Sequence, residues 1–190
     1  TTTVPLYILK FIAAPSGVSA LLLLTAYYLL RLKRISQKSK QYVVSLLFVA
    51  ICCIDYTAHC AVVRVYALYA VAIFMTTTYA DYKLTGITSA LSLISLTVSE
   101  LFIFWDVDKV SVFASSNRMV DFVVVISILI GCGLVSSVTI YYERRKNEAS
   151  LRREVERELL KESMLFDELT GAYNRKALHD EMRLLEQHAP

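Results

Sequence analysis

The sequence predicts an all-α membrane protein with about five transmembrane helices, followed by a long cytoplasmic helix. The 190-residue chain is 56% hydrophobic and 19% charged, with a mean hydropathy of +0.50, which argues against a soluble protein. The charges are also unevenly distributed, because residues 143–190 hold 21 of the 37 charged side chains. We therefore expect a membrane domain over residues 1–142 and a water-exposed segment after it.

Five long stretches with few or no ionisable residues predict the transmembrane helices. A helix needs about 20 apolar residues to cross the hydrocarbon core of a bilayer. Four stretches reach this length, and the third is short by about one turn. In chain order they cover Phe11–Leu30, Gln41–Val63, Val65–Ala80, Leu84–Trp105 and Phe122–Tyr142. The first stretch is too long for a cleavable signal peptide, and further spans follow it.

Basic residues at two points predict how the chain is oriented. The connection between the first two spans, Arg31–Lys40, carries five Lys and Arg residues and no acid, which places it in the cytoplasm. The last span is followed by Glu143 and then by Arg144, Arg145 and Lys146, which indicates the same side. The N-terminus is therefore expected outside and the C-terminus inside.

Four ionisable residues within or beside the spans are candidates for a sensory site, because charges in a membrane are costly. Asp55 and His59 are four residues apart and share one face of the second span. Glu100 lies at a similar depth in the outer half of the membrane, and Arg64 begins the third span. These side chains could line one cavity for a small polar or cationic ligand, or a proton. Alternatively, Asp55 is neutralised by a neighbour only to hold the helices together, and Glu100 reaches the outer surface.

The sequence does not favour a metal or haem site in the membrane part. His59 is the only histidine there, so a haem would lack a second histidine ligand. Four cysteines lie within the spans, where they are expected to behave as small apolar residues: Cys52, Cys53, Cys60 and Cys132. We expect no metal, no cofactor and no nucleic-acid partner for this chain.

Residues 143–165 predict a continuous helix that leaves the membrane. This segment has no Gly or Pro, and it is rich in good helix formers and mixed charge. Its apolar residues advance by three or four positions: Leu151, Val155, Leu159, Leu160, Met164 and Leu165. Because they keep no long heptad register, a parallel coiled coil of two chains would be marginal. A solvated connector is the alternative.

A short motif follows this helix and predicts a turn between two helices. Gly171 is a helix stop, and Asn174 is a suitable N-cap for a helix with Leu178 and Met182 on one face. The motif resembles the opening D-x-L-T-G-x-x-N-R of GGDEF-family diguanylate cyclases. Its six matching positions are Asp167, Leu169, Thr170, Gly171, Asn174 and Arg175. The resemblance covers about 25 residues, or about 45 with the preceding helix, so 166–190 would be the hinge and first helix of a GGDEF domain.

The resemblance implies a function that this chain performs only in part. Cyclases of this family condense two GTP molecules into cyclic di-GMP with Mg²⁺ or Mn²⁺, in a dimer in the bacterial inner membrane. The family's catalytic signature lies downstream of the opening motif, whereas the sequence ends at Pro190. We therefore expect no catalytic residue here and no cyclase activity from these residues alone. The resemblance also implies that Asp167 and Arg175 interact across the hinge.

Three other parent proteins are compatible with parts of the sequence. The output domain could be a catalytically dead GGDEF relative that binds only nucleotide or a partner. The chain could instead be a small transporter or channel subunit, although the spans show no clear inverted repeat. A histidine kinase is disfavoured, because the turn motif does not resemble a phospho-accepting helix.

Overall fold

The computed structural model describes residues 4–59, 65–105, 109–165, 172, 178, 179, 182 and 183, with the backbone alone over 162–165. Within these residues the regular structure is entirely helical, which confirms the predicted all-α class. We number the helices α1 (Val4–Arg31), α2 (Gln37–Ala58), α3 (Ala67–Thr77), α4 (Tyr82–Phe102) and α5 (Ser116–Leu165). All of them except α3 are long and apolar enough to cross a membrane.

Helix α1 begins earlier than the apolar stretch predicts, at Val4 rather than Phe11. The turn over Leu9–Ala13 is a π-helix, and Pro15 lies directly after it. Because Pro15 has no backbone N–H and its ring crowds the preceding turn, the helix accommodates it by widening locally. Helix α1 ends at Arg31, where the basic connection begins.

Side-chain caps fix the starts of α2 and α4. The Ser36 hydroxyl accepts a hydrogen bond from the backbone N–H of Ser39, at 3.1 Å, and begins α2. The Asp81 carboxylate accepts from the backbone N–H groups of Lys83, at 2.9 Å, and Leu84, at 3.4 Å, and begins α4. Both residues satisfy donors that the first turn of a helix leaves without partners.

Helices α2 and α4 run parallel to each other. Thr57 and Ser99, near their C-terminal ends, share a hydrogen bond of 2.9 Å, and Cys52 and Leu96, which precede them, belong to one buried cluster. Because α4 begins 17 residues before Ser99, its start lies about 26 Å away along the helix. The chain between α2 and α4 must therefore return over that distance.

Helix α3 provides most of this return, although it has only 11 residues. Its first turn carries Tyr69, whose ring lies 5.9 Å from that of Tyr56 near the end of α2. Near its end, the Thr76 hydroxyl shares a hydrogen bond of 2.8 Å with Thr85 in the first turn of α4. Helix α3 is thus antiparallel to α2 and α4, and Tyr69 and Ile73 are fully buried.

Helix α5 is one continuous α-helix of 50 residues, about 75 Å long. The chain divides into two units, residues 1–142 and 143–190. In the first unit, Leu129, Ser136 and Ile140 of α5 are fully buried, and Gly133 meets α4, where an added methyl group would lie 3.3 Å from Ser89 Oγ. In the second unit, every described side chain from Arg144 to Lys161 is exposed.

The connection between α3 and α4 contains a residue in the left-handed region, since Ala80 has a φ of 48°. Its backbone N–H donates to the carbonyl of Thr77, at 2.9 Å, which closes the turn before Asp81. A side chain with a Cβ is strained in this conformation, by about 1–2 kcal/mol, and glycine is not.

Replacing Ala80 with glycine should therefore stabilise the protein. We expect Ala80→Gly to raise the free energy of unfolding in detergent by about 0.5–1 kcal/mol, after allowing for the greater flexibility of glycine in the unfolded chain. Ala90→Gly, at an exposed position within α4, is the control and should give no gain. Equal effects of the two substitutions would contradict the strain at Ala80.

Candidate functional site

A buried carboxylate near the end of α4 is held by two cations. Glu100 is 4% exposed, and its Oε1 accepts a hydrogen bond from Arg118 Nη2 at 2.6 Å. Its Oε2 lies 3.5 Å from Lys109 Nζ. Lys109 comes from the connection after α4, and Arg118 from the first turn of α5. We call Glu100, Lys109 and Arg118 the ion cluster.

Lys109 also closes the C-terminal end of α4. Its ammonium group donates to the carbonyl oxygens of Ser99, at 2.6 Å, and Ile103, at 3.0 Å. The last carbonyls of a helix have no partners within it, and they favour a positive charge. The Lys109 side chain is 1% exposed, so these bonds and the carboxylate together compensate its burial.

Arg118 is positioned by the start of α5 and retains unused donors. The Ser115 hydroxyl accepts from its backbone N–H at 3.3 Å, which caps the helix and fixes where the side chain emerges. One third of the side chain is exposed, and its buried Nε has no hydrogen-bond partner in the described part of the chain. The ion cluster thus has two positive charges and one negative charge, and one buried donor of Arg118 has no partner among the described residues.

Helix α2 joins the ion cluster through Tyr56, whose hydroxyl donates to Glu100 Oε2 at 3.1 Å. One residue further on, Thr57 bonds Ser99, the residue before Glu100. Helices α2, α4 and α5 therefore meet at this end of the bundle through polar contacts. A change in the charge or position of Glu100 would therefore alter the contacts of α4 with both α2 and α5.

The structure places only part of the predicted sensory site. Asp55 and His59 are both half-buried at the end of α2, where the backbone N–H of His59 donates to the Asp55 carbonyl at 3.0 Å. Among the described residues, no hydrogen bond or ion pair joins either side chain to Glu100. Arg64 lies outside the described residues, so a cavity formed by all four remains a prediction.

The predicted hinge also lies outside the described residues. This applies to Asp167, Leu169, Thr170, Gly171, Asn174 and Arg175. Across the described ranges, no group of three or more His, Cys, Asp or Glu side chains is placed to hold a metal ion.

Sequence reasoning missed the partners of Glu100. Lys109 and Arg118 were not singled out, because they stand outside the apolar stretches and carry no motif. The available signal was that a buried acid needs a positive partner, and these are the first two cations after Glu100 in the sequence.

No protein-family model, no curated protein and no solved structure matches this chain.

Removing Arg118 should leave the buried carboxylate of Glu100 incompletely paired. We expect Arg118→Ala to lower the free energy of unfolding by about 2 kcal/mol, less than the 3–5 kcal/mol of a fully buried pair, because Lys109 and Tyr56 remain. The measurement is a denaturant titration in mixed micelles.

A double variant separates the ion pair from simple loss of a side chain. The loss of stability in Glu100→Gln combined with Arg118→Ala should be smaller than the sum of the losses in the two single variants, because either change alone already breaks the pair. Arg34→Ala, which truncates an exposed arginine in the connection between α1 and α2, is the matched control and should have little effect. A loss below about 0.5 kcal/mol for Arg118→Ala would show that the pair contributes no more than a surface contact.

Proposed function

We propose that this chain is the membrane sensory and signal-transmitting part of a diguanylate cyclase in a bacterial inner membrane. The observation that carries the proposal is α5, one helix that begins at the ion cluster, continues through an apolar segment and extends into a fully exposed, charged segment. It leads directly toward the motif Asp167-x-Leu169-Thr170-Gly171-x-x-Asn174-Arg175, which resembles the opening of a GGDEF domain.

The proposed topology has five membrane crossings, with the N-terminus outside and the C-terminus in the cytoplasm. The parallel arrangement of α2 and α4 supports a crossing through α3, because the intervening chain must return to the side on which α4 begins. The basic residues between α1 and α2, and those after residue 142, then face the cytoplasm. In this orientation the ion cluster lies on the outer side.

The ion cluster is the proposed point where a stimulus acts. A small ligand or a proton that neutralises Glu100 would weaken its attraction to Arg118, in the first turn of α5. Because α5 is continuous, a rotation or shift at that turn would be carried toward the output domain. If α5 has two positions, a ligand shifts it toward the position to which the ligand binds more tightly.

The exposed part of α5 is the proposed dimer contact. Its large apolar side chains are at least half exposed in the single chain: Leu151, Val155, Leu159 and Leu160. Burying them against a second copy would remove apolar surface from water. Their irregular spacing makes the pairing weak, which suits a contact that must change register during signalling.

Inserting residues into α5 rotates the part of the chain after the insertion about the helix axis, and this should change the activity of an attached cyclase domain periodically. In a chimera that joins this chain through its motif to an active cyclase domain, we would insert one to four alanines after Glu148. Each alanine rotates the output domain by about 100°, so four restore nearly the original phase. We expect one or two insertions to change cellular cyclic di-GMP at least about threefold, equivalent to about 0.65 kcal/mol in a two-state equilibrium, and four to reverse most of it.

A chimera with an inactivated cyclase domain serves as the control for these measurements. A steady decline with the number of inserted residues, or no change, would show that α5 acts only as a tether.

Cysteine substitutions should show which face of α5 pairs with a second chain. We expect Leu151→Cys and Val155→Cys to form cross-linked dimers in oxidised membranes. Arg153→Cys, about 200° around the helix from Leu151, should cross-link much less. The parent chain, with its own cysteines in the spans, gives the background. Equal cross-linking at all three positions would contradict a specific dimer face.

A further inference from the structure

An apolar cavity lies between α1 and α2, separate from the ion cluster. Its volume is about 260 Å³. Its lining includes Ala14, Pro15 and Val18 from α1, Ile54 and Ala58 from α2, and the ring of Trp105. The hydroxyl of Thr57, which also borders it, is already bonded to Ser99. The cavity therefore offers a ligand apolar surface and few free polar groups.

A cation lies beside the ring of Trp105, one of the residues that line this cavity. Lys10 is one helical turn before Ala14 in α1, and its ammonium nitrogen lies 5.6 Å from the centre of the Trp105 ring. The same nitrogen lies 5.2 Å from the centre of the Phe11 ring, so two aromatic faces hold it in place. Among the described residues, Lys10 forms no ion pair. Within that part of the chain, no carboxylate compensates its charge.

The shape of the cavity limits what can occupy it. Pockets for compact, drug-sized ligands begin at roughly 300 Å³, so this cavity is small for a fused-ring molecule. Along α1 the lining runs from Ala14 to Val18, and Lys10 lies one turn before this stretch. A single alkyl chain with one charged end fits the volume of the cavity. Its charged end would match the position of the Lys10 ammonium group, and its chain would match the apolar lining.

We propose that this cavity binds a single-chain anionic amphiphile of the fatty-acid class. The carboxylate would lie beside the Lys10 ammonium, and the alkyl chain would extend between α1 and α2 past Ala58. The Lys10 charge selects an anion over a neutral lipid, and a volume of about 260 Å³ favours one chain over two. Binding at this site does not depend on whether the output domain is a cyclase.

The fluorescence of Trp105 reports directly on binding to this cavity, because Trp105 is the only tryptophan in the chain. The full chain would be placed in phosphatidylcholine nanodiscs, and a fatty acid brominated along its chain would be titrated at a pH where its carboxylate is ionised. We expect tryptophan quenching that saturates at a low mole fraction of the fatty acid, and that unbrominated fatty acid reverses. Quenching that rises in simple proportion to the mole fraction would show contact with bulk lipid only, and would overturn the proposal.

Variants test the two parts of the site separately. Lys10→Gln should weaken the saturable quenching about fivefold, as expected for loss of a partly exposed ion pair. Lys38→Gln removes an exposed lysine from the other end of α2 and should leave the quenching unchanged. Ala58→Phe should fill the cavity and abolish the saturable phase. If Lys10→Gln binds as tightly as the parent chain, the carboxylate does not lie beside Lys10 and the proposal fails.

Two further lipids define the ligand class. The methyl ester of the same brominated fatty acid has the same chain without the charge, and it should not give the saturable phase. Brominated phosphatidylglycerol has an anionic head but two chains, and it should also quench without saturation. Saturable quenching by the ester would remove the need for charge. Saturable quenching by phosphatidylglycerol alone would assign the site to a phospholipid rather than a fatty acid.

Discussion

The carboxylate of Glu100 sets the main constraint on this structure, because a charge buried among apolar helices must be compensated. Arg118 and Lys109 provide that compensation from two places further along the chain. To reach Glu100, the connection after α4 must fold back over the end of that helix, and α5 must begin beside it. Tyr56 adds α2 to the same point. One acidic residue thus determines where three helices meet.

The apolar site between α1 and α2 borders this arrangement on the side of α2. Thr57 lines the cavity and also bonds Ser99, the neighbour of Glu100. A ligand that separated α1 from α2 would therefore act on the residue next to the ion cluster. One hydrogen bond thus connects the lining of the cavity to the residue that precedes Glu100.

The sequence predicted the helices well because their signals are local. The apolar stretches locate α1, α2, α4 and α5, and the absence of Gly and Pro over residues 143–165 predicts that α5 continues without a break into its exposed part. Helix α1 contains the predicted stretch Phe11–Leu30 but begins seven residues earlier, at Val4, and so includes Lys10, whose ammonium group lies over two aromatic rings. Of the proposed sensory residues, Glu100 is in a polar cluster, but its partners depend on how a connection folds back. Such long-range contacts leave no periodic signal in the sequence.

The glycine at position 133 allows α5 to approach α4 closely. An added Cβ at this position would lie 3.3 Å from the hydroxyl oxygen of Ser89. A larger side chain would therefore have to displace the Ser89 hydroxyl or push the two helices apart. The smallest residue in the last apolar helix thus limits the distance between that helix and the one that carries Glu100.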